Sequence, residues 1–508
     1  MSDHGEPEKY SIDEMMERLK SRPSEDPIEN GELVTRADGS KAIRVRKRKR
    51  RSHQPHKEEL AHTRKARMLQ VSGALILLML ALFAAGAAIV YANSAPFRDS
   101  LTQKIAKVTG ARVEMLRFRM NPTAANADVV TLAWPEGNVL SELTTQGLRA
   151  QIAPQSFLGK AMVGEEVSAK EGTLRLRIPE TGKPSREVSA EGGASPVRFG
   201  RYAIPKLNVT VGDAAAPIAK LLNSEASLQM SGSTPRPLLL LSQGDLAIDG
   251  WPKLGLDRAH VEFRSSQVDV LSMRLRYNGD ERGVFELAGT VSPFETGRAS
   301  TLSVGLESYP LAGIAGPELG GFFVGRVDST PSASSNFLTF TPGNLADTSL
   351  VAEFTSSVTT PFKVSGFPFL PALAQILGDK WFENPVFESD VRGVIRRNNG
   401  VVSLSSMRFE NKARMTLTGT VNANKDRRIS GDLEVGVAES MIKASKNPAL
   451  EFMFGREREG FRWAALKISG GVAAPADNFR ELYEAAVQAT RAEPAAKTPS
   501  FEDLTTPR

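Results

Sequence analysis

The hydrophobic pattern along this chain passes through three regimes. Before about residue 67 polar residues dominate. Residues 68–92 then form an apolar run without one charged side chain, and from about Val113 onward apolar and polar residues mostly alternate. At ~1.5 Å rise per residue, a helix over 68–92 reaches ~37 Å, enough for a hydrocarbon layer of ~30 Å with some tilt. The run is read as a single transmembrane helix.

Ahead of it, Ser11 and Glu14 form a capping box, and Ile12, Met15, Met16 and Leu19 share one face of a helix that Pro23 and Pro27 stop. Residues 33–36 and 42–46 flank Asp38-Gly39 in the manner of a small hairpin. Behind the run, Phe97, Leu101, Ile105 and Val108 predict a short amphipathic helix ended by Gly110.

From there the period drops from 3.6 to 2. Strands are expected over 113–120, 129–134, 143–152, 173–178, 206–211, 227–231 and 238–248, with a short helix around 217–222. In 173–178, Leu174, Leu176 and Ile178 share one face, and Thr173, Arg175 and Arg177 share the other. Residues 181–196, rich in Gly, Ser, Pro and charge, read as a loop or linker.

A repeat carries the most information. Val268-Asp-Val-Leu-Ser-Met-Arg-Leu275 aligns without a gap on Val402-Ser-Leu-Ser-Ser-Met-Arg-Phe409, and the apolar phase slips at the same place in both. Such a slip predicts a bulge. A strand containing Gly-Thr-Val follows each copy: Phe285, Leu287, Gly289, Val291 and Met415, Leu417, Gly419, Val421. Third strands follow through Leu302, Val304, Leu306 and through Leu433, Val435, Val437. Between the copies, Phe367, Phe369, Leu370, Leu373, Ile376, Leu377, Trp381 and Phe382 make a helical, very apolar stretch. A last strand over 465–471 precedes a helix over 478–490.

The expected fold class is mainly β: an extended, twisted antiparallel sheet curled into a groove or an elongated sandwich, with few short helices, plus one N-terminal transmembrane helix. The chain divides into a charged, mostly disordered arm (1–67), the transmembrane helix (68–92), a first β region (93–180), a loop or linker (181–199), a repeated-strand β region (200–477) and a C-terminal helix with a loose tail (478–508).

Charge changes the picture by its distribution. Residues 1–40 hold 5 Lys and Arg against 11 Asp and Glu; residues 41–67 hold 12 against 2; the remainder holds 47 against 45. The basicity therefore belongs to one short arm, and no nucleic-acid partner is expected of the nearly neutral β segment. Arg64, Lys65 and Arg67 abut the apolar run, which orients the arm to the cytoplasm and offers headgroup contacts. Cysteine is absent, and His4, His53, His56 and His62 all precede the run, leaving His260 alone behind it. With no Gly-x-Ser-x-Gly elbow, phosphate loop, His-Glu-x-x-His or dinucleotide fingerprint, the expectation is no enzyme, no cofactor and no metal.

The single anchor, the short helix at 97–108, Ala111-Arg-Val-Glu-Met-Leu-Arg-Phe-Arg-Met-Asn-Pro122, Trp134-Pro-Glu-Gly137, the repeated Gly-Thr-Val units and the closing Leu466-Lys-Ile-Ser-Gly-Gly-Val472 followed by Pro475 resemble the AsmA family of Gram-negative envelopes. The resemblance implies an inner-membrane protein, its bulk periplasmic, whose β-sheet forms an apolar groove for lipid acyl chains. The implied role is envelope lipid transport or outer-membrane homeostasis, and no catalytic residue transfers with it. On this reading the lining comprises Leu174, Leu176, Ile178, Met273, Leu275, Phe285, Leu287, Phe367, Phe369, Leu373, Ile376, Leu377, Trp381, Phe382, Met407 and Phe409. Membrane phospholipid is then the partner, with an envelope protein and a cytoplasmic partner of residues 11–22 as further candidates. The rival reading is a closed β sandwich serving as an envelope assembly scaffold.

Overall fold

The computed structural model describes residues 31–45, 57–153, 162–178 and 197–492, except positions 214, 231–235, 265–266, 278, 294, 296, 331–333, 343 and 358–359. The readings made above for residues 11–22, 181–196 and 493–508 lie outside the described residues.

In the N-terminal unit, the strands Gly31–Thr35 and Lys41–Val45 pair antiparallel across the Asp38-Gly39 turn. The turn holds because Gly39 takes φ +80° and Asp38 Oδ1 accepts from the Ser40 amide at 3.1 Å. Helix α1 spans Lys57–Ala92, starting earlier than the apolar run because Lys57, Glu58 and Glu59 are good helix formers. Its stretch Ala74–Ala92 is long and apolar enough to cross a membrane. Arg64, Lys65 and Arg67 fall on this helix, ahead of that stretch.

Helix α2, Ala95–Thr109, ends at Gly110 in the left-handed conformation, as its spacing predicts. Between the two helices Asn93 takes the place of a missing ladder partner. Its side chain donates to the Met120 carbonyl at 2.7 Å and accepts from the Met120 amide at 2.8 Å.

Everything beyond is mainly β. Pairing runs as one path from the short edge strands Arg112–Leu116 and Arg119–Met120 through Ala124–Ala133 and Leu140–Ile152. Met162–Ser168 and Glu171–Leu176 together fill the next ladder position, followed by Val197–Gly212 and Pro217–Gln229. Leu238–Ser242 and Asp245–Ile248 share another position before Leu254–Phe263, Val268–Tyr277, Val284–Val291 and Ser300–Pro310. Arg326–Ser329 and Phe337–Thr341 share the one after that. The path ends through Asn344–Ser356, Asp390–Asn398, Val401–Asn411, Met415–Ala423, Ile429–Ala438 and Phe461–Gly471, flanked by Arg456–Arg458 and Ala474–Asp477. Each closed ring of pairings is local and arises where two half-strands occupy one position. Among the described residues no pairing joins the first strands to the last.

One expectation is corrected. Residues 217–222 are not helical but open the strand Pro217–Gln229: Ala219 and Lys220 pair with Val211 and Thr210, and proline is tolerated at a strand's first residue. The sheet is mainly antiparallel, as expected, with one parallel connection among the described pairings. Met162–Ser168 and Glu171–Leu176 run parallel to Val197–Gly212, and the connection 177–196 has the dozen or more residues that a parallel return requires.

The repeat folds as its phase slip predicts. Register shifts fall between Val270 and Met273 and, in the second copy, between Leu404 and Met407. Val270 pairs with Gly289, whereas its counterpart Leu404 pairs with Val421, two residues beyond Gly419. The copies thus differ by an even slide, which leaves every side chain on its original face. At Gly419, φ is +132° and a Cβ would stand 2.2 Å from the Asp432 carbonyl oxygen, so only glycine fits this close approach.

From Leu254 onward the apolar face is covered. Helices α3 (Ala312–Leu319), α4 (Phe369–Leu377), α5 (Glu439–Ser445), α6 (Pro448–Met453) and α7 (Phe479–Ala492) contribute Ile314, Leu319, Phe369, Leu373, Ile442, Leu450 and Phe479 to one large core. A small sheet of Phe323–Val324, Phe362–Val364 and Val386–Phe387 joins them. Phe409 is the hub, its ring 5.8, 4.7 and 6.0 Å from those of Phe323, Phe362 and Phe387. Asp477 ties two helices to the sheet end: Oδ2 accepts from the Phe369 amide at 2.6 Å and Oδ1 from the Phe479 amide at 3.1 Å.

Denaturant titration of the detergent-solubilised chain should rank two variants. Phe409→Ala should cost about 3–5 kcal/mol through cavity formation. Asp477→Ala should cost about 1–2 kcal/mol through loss of the two helix caps.

Candidate functional site

Register sorts the whole sheet into a polar face and an apolar face. On the polar side Arg175 pairs with Glu142 at 3.1 Å and Lys206 with Glu171 at 2.9 Å. On the other side, residues directly opposite one another form transverse apolar rows. One reads Val113, Leu132, Leu143, Leu174, Val209, Leu221, Leu246, Leu254. A second reads Leu140, Leu176, Val211, Ala219, Ile248. At ~4.8 Å between strands the first row extends for about 34 Å, roughly twice the ~15 Å depth of one hydrocarbon leaflet.

Burial changes along these rows. Leu254 is 7% exposed and belongs to the large core, but Val113, Leu132, Leu143, Leu174 and Val209 are only half-buried and sit in no buried cluster. The same holds for Leu140, Leu176 and Val211. Ile178 is half-buried as well, beside Gly212. Among the described residues an apolar face outside the buried clusters therefore runs from Val113 to Val209 along the first row and from Leu140 to Ile248 along the second, while Leu221 and Leu246 already pack against the large core.

The remaining expected lining residues fall on the covered side. Leu275, Phe285, Leu287, Phe367, Phe369, Leu373, Phe382, Met407 and Phe409 are at most 5% exposed, packed against one another and the helices. Met273, Ile376, Leu377 and Trp381 are half-buried on the margin of that core. Only Leu174, Leu176 and Ile178 lie on the uncovered face. Leu132, Leu143 and Val209 join them there, although the sequence reading did not single them out. Their signal was the alternation of strands 129–134, 143–152 and 206–211; the cross-strand register that unites them needs the structure.

One charge interrupts the apolar side. A third row crosses the sheet through Met120, Ala125, Ala150, Val167, Tyr202, Leu228, Leu239, Val261, Val270, Gly289, Leu302, Leu338, Leu350, Arg397, Val402, Ala423 and Ile429. Arg397 is 5% exposed. It donates to the carbonyls of Ile314, at 3.2 Å, and of Gly250. Its guanidinium lies 5.4 Å from the centre of the Trp251 ring and 3.8 Å from Glu318 Oε2. Burial pushes the Arg397 pKa down, and the Glu318 charge pulls it back up. Gly250 and Trp251 form the turn next to Ile248, where the second row ends. Arg397 thus fastens the inner limit of the uncovered face to α3 and to the strand Asp390–Asn398. Nothing in the sequence marks it, because Arg396-Arg397 reads as an ordinary polar pair beside a turn.

No protein family, curated protein or solved structure matches this chain.

Removing Arg397 strips a partner from two carbonyls and leaves Glu318 uncompensated. Arg397→Met should therefore lower unfolding free energy by about 3 kcal/mol, and adding Glu318→Gln should recover part of it. Urea titration of both single variants and the double variant supplies the cycle that measures this coupling.

Proposed function

We propose that this chain is a non-enzymatic, membrane-anchored protein whose uncovered apolar face, from Val113 to Val209 and from Leu140 to Ile248, holds or conveys lipid acyl chains. The observation that carries the reading is the half-buried state of two apolar rows which, up to Val209 and Ile248, lie in no buried cluster among the described residues. Water against such rows costs free energy, and an acyl chain laid along them recovers about 0.8 kcal/mol for each buried methylene. Helix α1 supplies the anchor. By the positive residues ahead of the span, the arm is cytoplasmic and the β region lies beyond an inner membrane. The resemblance to the AsmA family supports the same assignment to envelope lipid transport or outer-membrane homeostasis.

The large core beyond Leu254 favours a second reading, because a filled, helix-covered sheet is what a closed assembly module presents. Under that reading the chain contacts envelope proteins through its polar face.

Photocrosslinking in cells distinguishes the two. A photoreactive residue at Leu143 or Leu174 should yield lipid adducts, and one at Arg175, on the opposite face, should not. Absence of lipid at both apolar positions, with protein adducts at Arg175, would overturn the first reading.

A further inference from the structure

We propose that the corner from Leu116 to Arg119 is a second membrane contact, seated on anionic phospholipid headgroups beside the end of the span. This rests on the anchoring proposed above and is independent of lipid carriage.

The position follows from hydrogen bonds. Asn93, one residue past the apolar stretch, grips both backbone groups of Met120. Leu116 lies four residues earlier, within about 13 Å along an extended chain. Aromatic rings bridge the same gap: Tyr91 meets Phe97 at 5.7 Å, and Phe97 stacks on Phe118 at 6.5 Å. Tyr91 belongs to the span and is 59% exposed, the placement of an interfacial aromatic. Phe118 is therefore held near the level at which the helix leaves the hydrocarbon.

The corner's chemistry suits that level. Leu116 is 61% exposed on a strand whose other exposed positions are Arg112 and Glu114. A left-handed turn at Arg117, φ +50°, separates the two short edge strands and presents this corner. Among the nearby charges, Glu114 is bonded to Arg112 at 2.9 Å and Asp128 to Arg117 at 3.2 Å. Arg119 forms no ion pair among the described residues. Along the ladder it is followed by Asn126 and then by Arg149. An exposed leucine beside an uncompensated arginine fits a surface whose outer layer is phosphate and whose next layer is hydrocarbon.

Because the chain has no cysteine, nitroxide labels can be placed singly in the full-length protein at Val90→Cys, Leu116→Cys and Leu222→Cys. After reconstitution into vesicles of phosphatidylethanolamine and phosphatidylglycerol, accessibility to oxygen and to a nickel chelate reports depth. Leu116→Cys should be shielded from nickel relative to the exposed Leu222→Cys, and Arg119→Glu or omission of phosphatidylglycerol should raise its nickel accessibility. A Leu116→Cys label as nickel-accessible as Leu222→Cys, with Val90→Cys in lipid, would overturn the corner contact alone. A Val90→Cys label in water would overturn the anchor and the contact together.

Discussion

A sheet in which side chains alternate between two faces can stay apolar on one side only if every strand enters in the same phase. All the packing described here depends on that constraint. Where the apolar phase slips, at Val270 to Met273 and at Leu404 to Met407, a register shift absorbs the odd residue and returns the following side chains to the apolar side. Where a backbone must approach closely to preserve the ladder, glycine is present, as at Gly419 against the Asp432 carbonyl. The outcome is a third row that is apolar at nearly every position from Met120 to Ile429 and broken by a single charge, Arg397.

What varies along the sheet is the cover. Beyond Leu254 five helices and a small three-stranded sheet press aromatic rings onto the apolar side, and Phe409 touches three of them. Before Leu254, among the described residues, the same side carries a smaller cluster in which Ala92 and Phe97 of the two helices meet Met120, Ala125, Ala150 and Phe199. The boundary is built from polar contacts: a buried guanidinium anchors a turn, a helix and a strand through carbonyls, an aromatic ring and one carboxylate. A hydrophobic contact there would tolerate sliding. Directed hydrogen bonds fix the position at which the covered part stops, and so set the length of the part left open.

Much of this architecture is legible in the residues. Alternation locates most strands of 112–250, the duplicated Ser-Met-Arg and Gly-Thr-Val segments locate both hairpins with their bulges, and Gly110 correctly ends α2. The intervening region is less legible. Helix α3 is kinked at Gly316, which takes φ +64° ahead of Pro317, and the long strands Asn344–Ser356 and Asp390–Asn398 mix charge with apolar residues too evenly to stand out. The short strand Phe362–Val364 forms through pairing with distant segments, and local sequence carries no trace of those partners. The same limit applies to the site. Leu174 and Leu176 announce their face by alternation, but whether a face is covered depends on helices over a hundred residues away.

The grip of Asn93 on Met120 has a mechanical consequence. Two hydrogen bonds from one side chain make a joint with little freedom to swivel, and the stacked rings of Phe97 and Phe118 brace it from the side. A spanning helix tilts in response to the thickness of the layer around it. If α1 spans a membrane as proposed, movement of its last turn would be passed to the strand that holds Met120, with Asn93 as the fulcrum.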